Sequence, residues 1–246
     1  MIIILEKYSF SKLSCFNQCK YQFFLKYIAK AIKENNAFAE YGKFVHEILE
    51  RYAKGELAVF ELSDIYKDEF YLAISEHFPY NKYIDLKEKY YLDGLNFFNS
   101  FSGLENYEIL GVEEQFEINI NEEFLFIGII DLILKDKAGN LIIRDWKSKN
   151  KFKSKKEMDE YAKQLYLYSI YIKEKYGKYP DKLEFGLFRN NEIKSFDFNK
   201  NDFDNANKWM IETVKEIEQC ERFEEHTDFY YCNNLCEFRN LCELKE

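Results

Sequence analysis

The stretch GIIDLILKDKAGNLIIRDWKSKN, residues 128–150, sets Asp131 inside an apolar run and Asp145 fourteen residues later, with Lys147 close behind. Between Ile130 and Leu132, Asp131 is costly in a half-buried strand unless something pairs with it. The two aspartates fall on successive strands joined by a short turn, so antiparallel pairing brings their carboxylates together. Lys147 is two residues past Asp145 and projects from the same strand face. Two carboxylates and an ammonium on one sheet face make a site for a hard cation, Mg²⁺ or Mn²⁺. Such a site can activate water and stabilise charge on a phosphate during in-line attack. A lone Asp-x-Lys triplet is common and by itself reads as a surface salt bridge between Lys147 and one aspartate, so the surrounding elements decide.

Those elements change period along the chain. SKLSCFNQCKYQFFLKYI (11–28) and GKFVHEILERYAKGE (42–56) carry apolar residues at helical spacing, and Ile65 to Phe101 reads as two more helices. YEILGVEEQFEINI, FLFIGIIDLIL and NLIIRDWKS then alternate as three strands, the last two joined by the turn Lys135-Asp136-Lys137-Ala138-Gly139-Asn140. A helix from Lys156 to Tyr176 ends at Gly177 and Pro180. KLEFGLFR (182–189) and EIKSFDF (192–198) pair across a turn at Asn190-Asn191, and Asp202 to Glu218 closes as a helix before a cysteine-bearing tail, 219–246. There is no internal repeat or low-complexity tract.

With 47% hydrophobic and 19% aromatic residues in 246, and no Gly/Ser/Pro-rich linker, the chain has material for a substantial core and reads as one domain, 1–246. No stretch approaches the ~18 continuous apolar residues of a membrane span. The apolar burst in MIIILEKYSF is short and lacks a basic leader, so a cytoplasmic location is expected. A net charge of −9 argues against a globally basic nucleic-acid binder. The charge is uneven, however. KSKNKFKSKK (147–156) holds six lysines, whereas residues 105–123 hold seven glutamates and no Lys or Arg. The lysine strip is compatible with DNA contact and equally with a solvated loop.

In order along the chain stand Gly42-Lys43-Phe44-Val45-His46, Gly128-Ile129-Ile130-Asp131, Asp145-Trp146-Lys147 and Gln164-Leu165-Tyr166-Leu167-Tyr168. This series of a Gly-x-x-x-His helix, a Gly-x-x-Asp strand, an Asp-x-Lys strand and a Gln-x-x-x-Tyr helix resembles the PD-(D/E)XK nuclease superfamily. Within it the match is to the RecB-like branch, which includes the nuclease region of AddB and the CRISPR-associated adaptation nucleases. The resemblance implies His46, Asp131 and Asp145 as metal ligands, with the Trp146 carbonyl as a fourth. It implies Lys147 as the group that orients or deprotonates the attacking water, and Gln164 and Tyr168, one helical turn apart, as substrate-positioning residues beside it. The imidazole ligand makes the site friendlier to Mn²⁺ than an all-oxygen set. Glu113 is a lesser candidate for the same site, because Glu114 and Glu117 share its acidic strand.

Six cysteines stand at 15, 19, 220, 232, 236 and 242, three of them in CNNLCEFRNLC. Thiolates clustered near a chain end suggest a metal or an iron–sulfur cluster. The resemblance supplies a fourth ligand, a cysteine in an N-terminal aromatic-rich helix, and so implies a 4Fe-4S cluster on Cys19, Cys232, Cys236 and Cys242. The chain departs from the family pattern twice: three residues rather than two separate Cys232 from Cys236, and Lys20 stands where a proline commonly follows the N-terminal cysteine. Cys15 is therefore an alternative to Cys19, and zinc on the same thiolates is the inorganic alternative.

The implied fold is α/β, a restriction-endonuclease-like core of mixed β-sheet flanked by helices, with a helical insertion over 57–101 and an iron–sulfur staple. The implied function is a Mg²⁺/Mn²⁺-dependent deoxyribonuclease, an exonuclease acting on DNA ends or single strands. A single strand passing aromatic side chains would suit the 24 Phe and 20 Tyr, although core packing accounts for most of them. The second reading is a non-catalytic adaptor that holds DNA ends for an integrase or helicase partner in recombination, repair or CRISPR adaptation. Retention of Asp131, Asp145 and Lys147 favours the enzyme.

Overall fold

Alternation over residues 107–147 builds two long strands and a buried one. The strands are β1 (Lys7–Tyr8), β2 (Tyr107–Ile120), β3 (Phe124–Asp136), β4 (Leu141–Lys147), β5 (Lys182–Leu187) and β6 (Glu192–Asp197). This is a computed structural model, and it describes residues 7–226 and 228–242; the N-terminal apolar burst lies outside the described residues. The strand order is β1-β3-β4-β5-β6, with β2 pairing to β3. The sheet is mixed: β3–β4 and β5–β6 are antiparallel, while β1–β3 and β4–β5 are parallel. At the β3–β4 turn, Asp136 Oδ1 accepts from the main-chain N–H groups of Ala138 and Asn140, each 2.9 Å away. This Asx-type closure fixes the register Leu132↔Arg144 and Ile133↔Ile143.

The helices are α1 (Phe10–Gln18), α2 (Lys20–Phe23), α3 (Ala37–Ala53), α4 (Leu62–Ala73), α5 (Leu86–Ser100), α6 (Lys155–Tyr176), α7 (Lys200–Glu218) and α8 (Phe229–Asn234). The chain divides into two compact units. One comprises residues 37–115 and 129–203, the other residues 1–36, 116–128 and 204–246.

In the first unit, Tyr41, Phe44, Val45 and Ile48 of α3 pack with Tyr66 and Phe70 of α4 and Phe97 and Phe98 of α5. All lie against Leu132, Leu134, Ile142 and Trp146 of the sheet. The segment 57–101 is thus two helices with a non-helical stretch, 74–85, around Pro79. Helix α6 lies against β4 and β5. It is capped by Ser154, whose side chain accepts from Glu157 N–H, and it ends at Gly177 with φ +74. That left-handed C-terminal position is one that only glycine occupies without steric cost.

In the second unit the helix expected over 11–28 is interrupted. Cys19 is extended (φ −159) and serves both as the C-cap of α1 and the N-cap of α2, and a π-helical turn follows over Phe24–Ile28. The cause is the thiol: Cys19 Sγ accepts from the N–H groups of Gln22 (3.4 Å) and His226 (3.3 Å), taking the place of a hydroxyl cap. Helix α7 meets α1 through Asn17 Nδ2, which donates to Thr213 Oγ1 (3.2 Å). Among the described residues no helix is long and apolar enough to cross a membrane.

Candidate functional site

Just past the end of the β3–β4 ladder at Leu132↔Arg144, the two strands carry Asp131 and Asp145. Asp131 Oδ2 accepts from the Trp146 main-chain N–H at 2.7 Å, so the carboxylate is tied to the strand carrying the other acid. Burial, and then the Asp145 charge, hold the Asp131 carboxyl well above the usual carboxylate range, against the pull of the Trp146 N–H and Lys147. Asp145 is buried; its Oδ1 accepts from Gln164 Nε2 at 2.8 Å. Lys147 Nζ lies 2.7 Å from Asp145 Oδ2. That contact is an ion pair outside directed hydrogen-bond geometry.

His46 reaches the same place from α3. Its Nε2–H donates to the Trp146 carbonyl at 3.0 Å, which leaves Nδ1 as the lone-pair nitrogen. Nδ1 stands 3.5 Å from Asp131 Oδ2. Burial lowers the His46 pKa and outweighs the Asp145 charge, so the ring faces the carboxylate as a neutral acceptor. Two acceptors at that separation are satisfied by a cation or a shared proton between them.

Glu113 completes the group, because one ligand atom each from His46, Glu113 and Asp131 lie within 4.8 Å of one another. Glu113 has φ +47, a left-handed conformation in the middle of β2 that breaks the strand's alternation. The next residue, Glu114, is bound by Tyr171 and Lys175 of α6 instead. Burial and the neighbouring Glu50 and Asp145 charges raise the Glu113 carboxyl, with Lys54 opposing. A cleft of about 680 Å³ opens from His46 and Glu113 past Lys43, Glu50, Arg51 and Lys54. With a compact N/O donor set of one imidazole and two carboxylates, the residues fit a divalent cation.

The remaining residues form a relay on α6. Gln164 Oε1 accepts from Lys147 Nζ at 2.9 Å while its Nε2 donates to Asp145 and lies 3.2 Å from Tyr168 Oη. The buried Tyr168 hydroxyl also accepts from the Ile129 main chain, and burial raises its pKa. The structure therefore brings together His46, Asp131, Asp145, Trp146, Lys147, Gln164 and Tyr168, and adds Glu113 beside Asp131 and His46.

The cysteines lie in the other unit. Cys19 Sγ and Cys232 Sγ meet the main chain of the same residue, His226, through its N–H (3.3 Å) and its carbonyl (3.2 Å) respectively. Burial raises the Cys236 thiol, and the nearby Cys19, Cys232 and Cys242 raise it further. Cys15 is pushed up to about 12 by burial, with Cys19 and Cys236 among its neighbours. The tail is also held by Tyr231 Oη donating to Gln22 (2.7 Å), by Arg239 with Glu34 (2.8 Å) and by a Lys26–Glu237 ion pair. Among the described residues the cysteine sulfurs do not form a group as compact as that of His46, Glu113 and Asp131. Cys220 stands apart, its Sγ on the Arg222 carbonyl.

No curated protein matches this chain. Among solved structures, the "Putative exonuclease" of Eubacterium rectale is similar, with a TM-score of 0.54 and 13% identity over 98% of this chain and 90% of that one. The protein SSO0001 is 14% identical over all of this chain and 90% of its own, with a TM-score of 0.43. Across residues 7–243, a span that takes in both the acidic site and the cysteines, the sequence matches the family model of the PD-(D/E)XK nucleases, and the chain belongs to the PD-(D/E)XK nuclease superfamily.

Proposed function

We propose that this chain is a metal-dependent deoxyribonuclease of the RecB-like branch, an exonuclease that hydrolyses phosphodiester bonds at DNA ends or in single strands. The observation that carries the reading is the placement of Asp131 and Asp145 on adjacent strands, with Lys147 Nζ held between Asp145 and Gln164. His46, Glu113, Asp131, Asp145 and the Trp146 carbonyl would hold Mg²⁺ or Mn²⁺. When bound, the ion supplies charge neutralisation at the phosphate and a lowered pKa for water. Lys147 aims an ammonium at the incoming water and at the negative charge that develops on the phosphate oxygens. Gln164 hydrogen-bonds both Lys147 and Asp145, and Tyr168 beside it fixes the orientation of its amide. The Trp146 N–H keeps Asp131 aimed at the site. The name borne by the E. rectale protein agrees with the exonuclease reading.

We also propose that Cys19, Cys232, Cys236 and Cys242 hold a 4Fe-4S cluster with a structural role, in a cytoplasmic setting that keeps thiols reduced. Zinc on the same four thiolates is the alternative occupant.

The test is cleavage of end-labelled single- and double-stranded DNA with and without Mn²⁺. Wild-type protein should shorten labelled strands only with the metal, and Asp145→Asn or Lys147→Ala should lower kcat by at least ~100-fold while DNA is still bound. Binding of DNA ends without cleavage by the wild type would replace the enzyme with an adaptor.

A further inference from the structure

The lysine strip that follows β4 is an anchored surface. Phe152, between the exposed Lys151 and Lys153, packs its ring on Tyr161 (5.6 Å) and Phe185 (5.3 Å). Ser154 caps α6, and Glu157 accepts from the Lys153 main-chain N–H. The loop is thus fastened at its aromatic, its cap and its backbone. Within it Lys149 is set by two contacts: its Nζ donates to Glu157 Oε1 at 2.9 Å and also bonds the Tyr161 side chain. An ammonium has three donors, so one remains for a ligand.

Tyr161 has no part in the site described above, yet it touches it. Its ring centre lies 5.6 Å from Lys147 Nζ and 4.9 Å from Lys149 Nζ, so one aromatic ring gathers the site's ammonium and the next one along the chain. Lys147 ends β4 and Lys149 follows a bend at Ser148, and with both ammoniums within 5.6 Å of one ring centre the spacing between them is set by that ring. The whole chain carries −9 and so repels a polyanion, which cations gathered beside the site offset locally.

We infer that Lys149 contacts the phosphate next to the one attacked, and that Tyr161 is the positioning residue that holds Lys147 and Lys149 at that spacing. The inference rests on the nuclease reading and specifies its substrate contact: a strand passes Lys147 and Lys149 in turn and continues toward Lys151 and Lys153. Lys149 binds ground state and transition state alike, so it acts on affinity and not on the chemical step.

The experiment measures binding of a short labelled single-stranded oligonucleotide in EDTA over a salt series, together with KM and kcat in Mn²⁺. Lys149→Gln should lower the slope of log affinity against log salt by about 0.7. It should also raise KM about fivefold with kcat within about twofold. Tyr161→Phe keeps the ring but loses the hydroxyl that Lys149 bonds, so it should fall between wild type and Lys149→Gln, whereas Tyr161→Leu should follow Lys149→Gln. Lys67→Gln, an exposed lysine paired with Asp64 on α4, controls for simple loss of charge and should leave the slope unchanged. A wild-type slope and KM in Lys149→Gln overturns the phosphate contact, and a Tyr161→Phe defect equal to that of Tyr161→Leu overturns the role of the ring. Should Tyr161→Leu fail to fold, Lys149→Gln and Tyr161→Phe still decide. If wild-type protein binds the oligonucleotide but does not cleave it, the nuclease reading fails, and the salt slope of Lys149→Gln still tests the contact.

Discussion

At the residue scale the site is a set of groups that the fold alone does not favour. The Asp131 carboxyl has its pKa raised in the folded chain by burial and by Asp145. An acid with a raised folded pKa binds more protons folded than unfolded between the two values. Stability therefore falls as pH rises through that window, and the penalty is complete above it. In EDTA, the wild type should melt higher near pH 5 than near pH 8 on account of this group. Asp131→Asn should flatten that dependence and raise the melting temperature at pH 8 by about 2–4 °C for each kcal/mol relieved. The same variant should lose the stabilisation that Mn²⁺ gives the wild type. Thermal melts across pH with and without the ion check both. Asp131, Asp145 and Lys147 were legible in the sequence because an acid in a buried run and a spacing of two are local features. Glu113 was harder to single out, because its place depends on a reversed φ that the neighbouring Glu114 and Glu117 do not reveal.

At the element scale, what positions the acids is the seating of β4 between β3 and β5. Trp146 pairs with Gly186 across β4–β5, and a Cβ on Gly186 would come 2.0 Å from Trp146 Cε3. The indole lies on the glycine because nothing larger fits. Gly186→Ala should displace the ring, cost about 1–3 kcal/mol of stability, and cut cleavage, because the Trp146 main chain holds both Asp131 and His46. A chemical melt and a kcat measurement would show whether the two losses come together; an active, stable Gly186→Ala would refute the seating argument. Strands β2 to β6 and helices α3 to α7 were readable from period and punctuation. The break at Cys19 was not, because a thiol taking two main-chain N–H groups reads as one more residue of a helical pattern. Strand β1 is two residues long, too short to carry any periodicity.

At the scale of the whole molecule, the two units are interleaved in sequence, and no linker composition marks where the chain passes from one to the other. The acids and the relay fall in one unit and the cysteines in the other. Anaerobically purified protein should carry visible iron–sulfur absorbance and about four irons per chain. Cys236→Ser should bleach it and destabilise the segment in which Leu25, Cys236 and Phe238 pack together. Stoichiometric zinc in protein never exposed to air would replace the cluster with a zinc site. Metal analysis and hydrogen exchange over residues 10–36 and 228–242 make the measurement.

The left-handed glutamate in β2 carries a further implication, for laboratory evolution. A non-glycine residue at such a φ costs roughly 1–2 kcal/mol, and Asn or Gly would carry less of that cost at position 113. Asp131, crowded by Asp145, favours replacement for the same kind of reason. A library selected for heat resistance alone would therefore tend to erase the very positions that gather around His46. Substitutions accumulating at 113 and 131 would mark where this fold has exchanged robustness for chemistry.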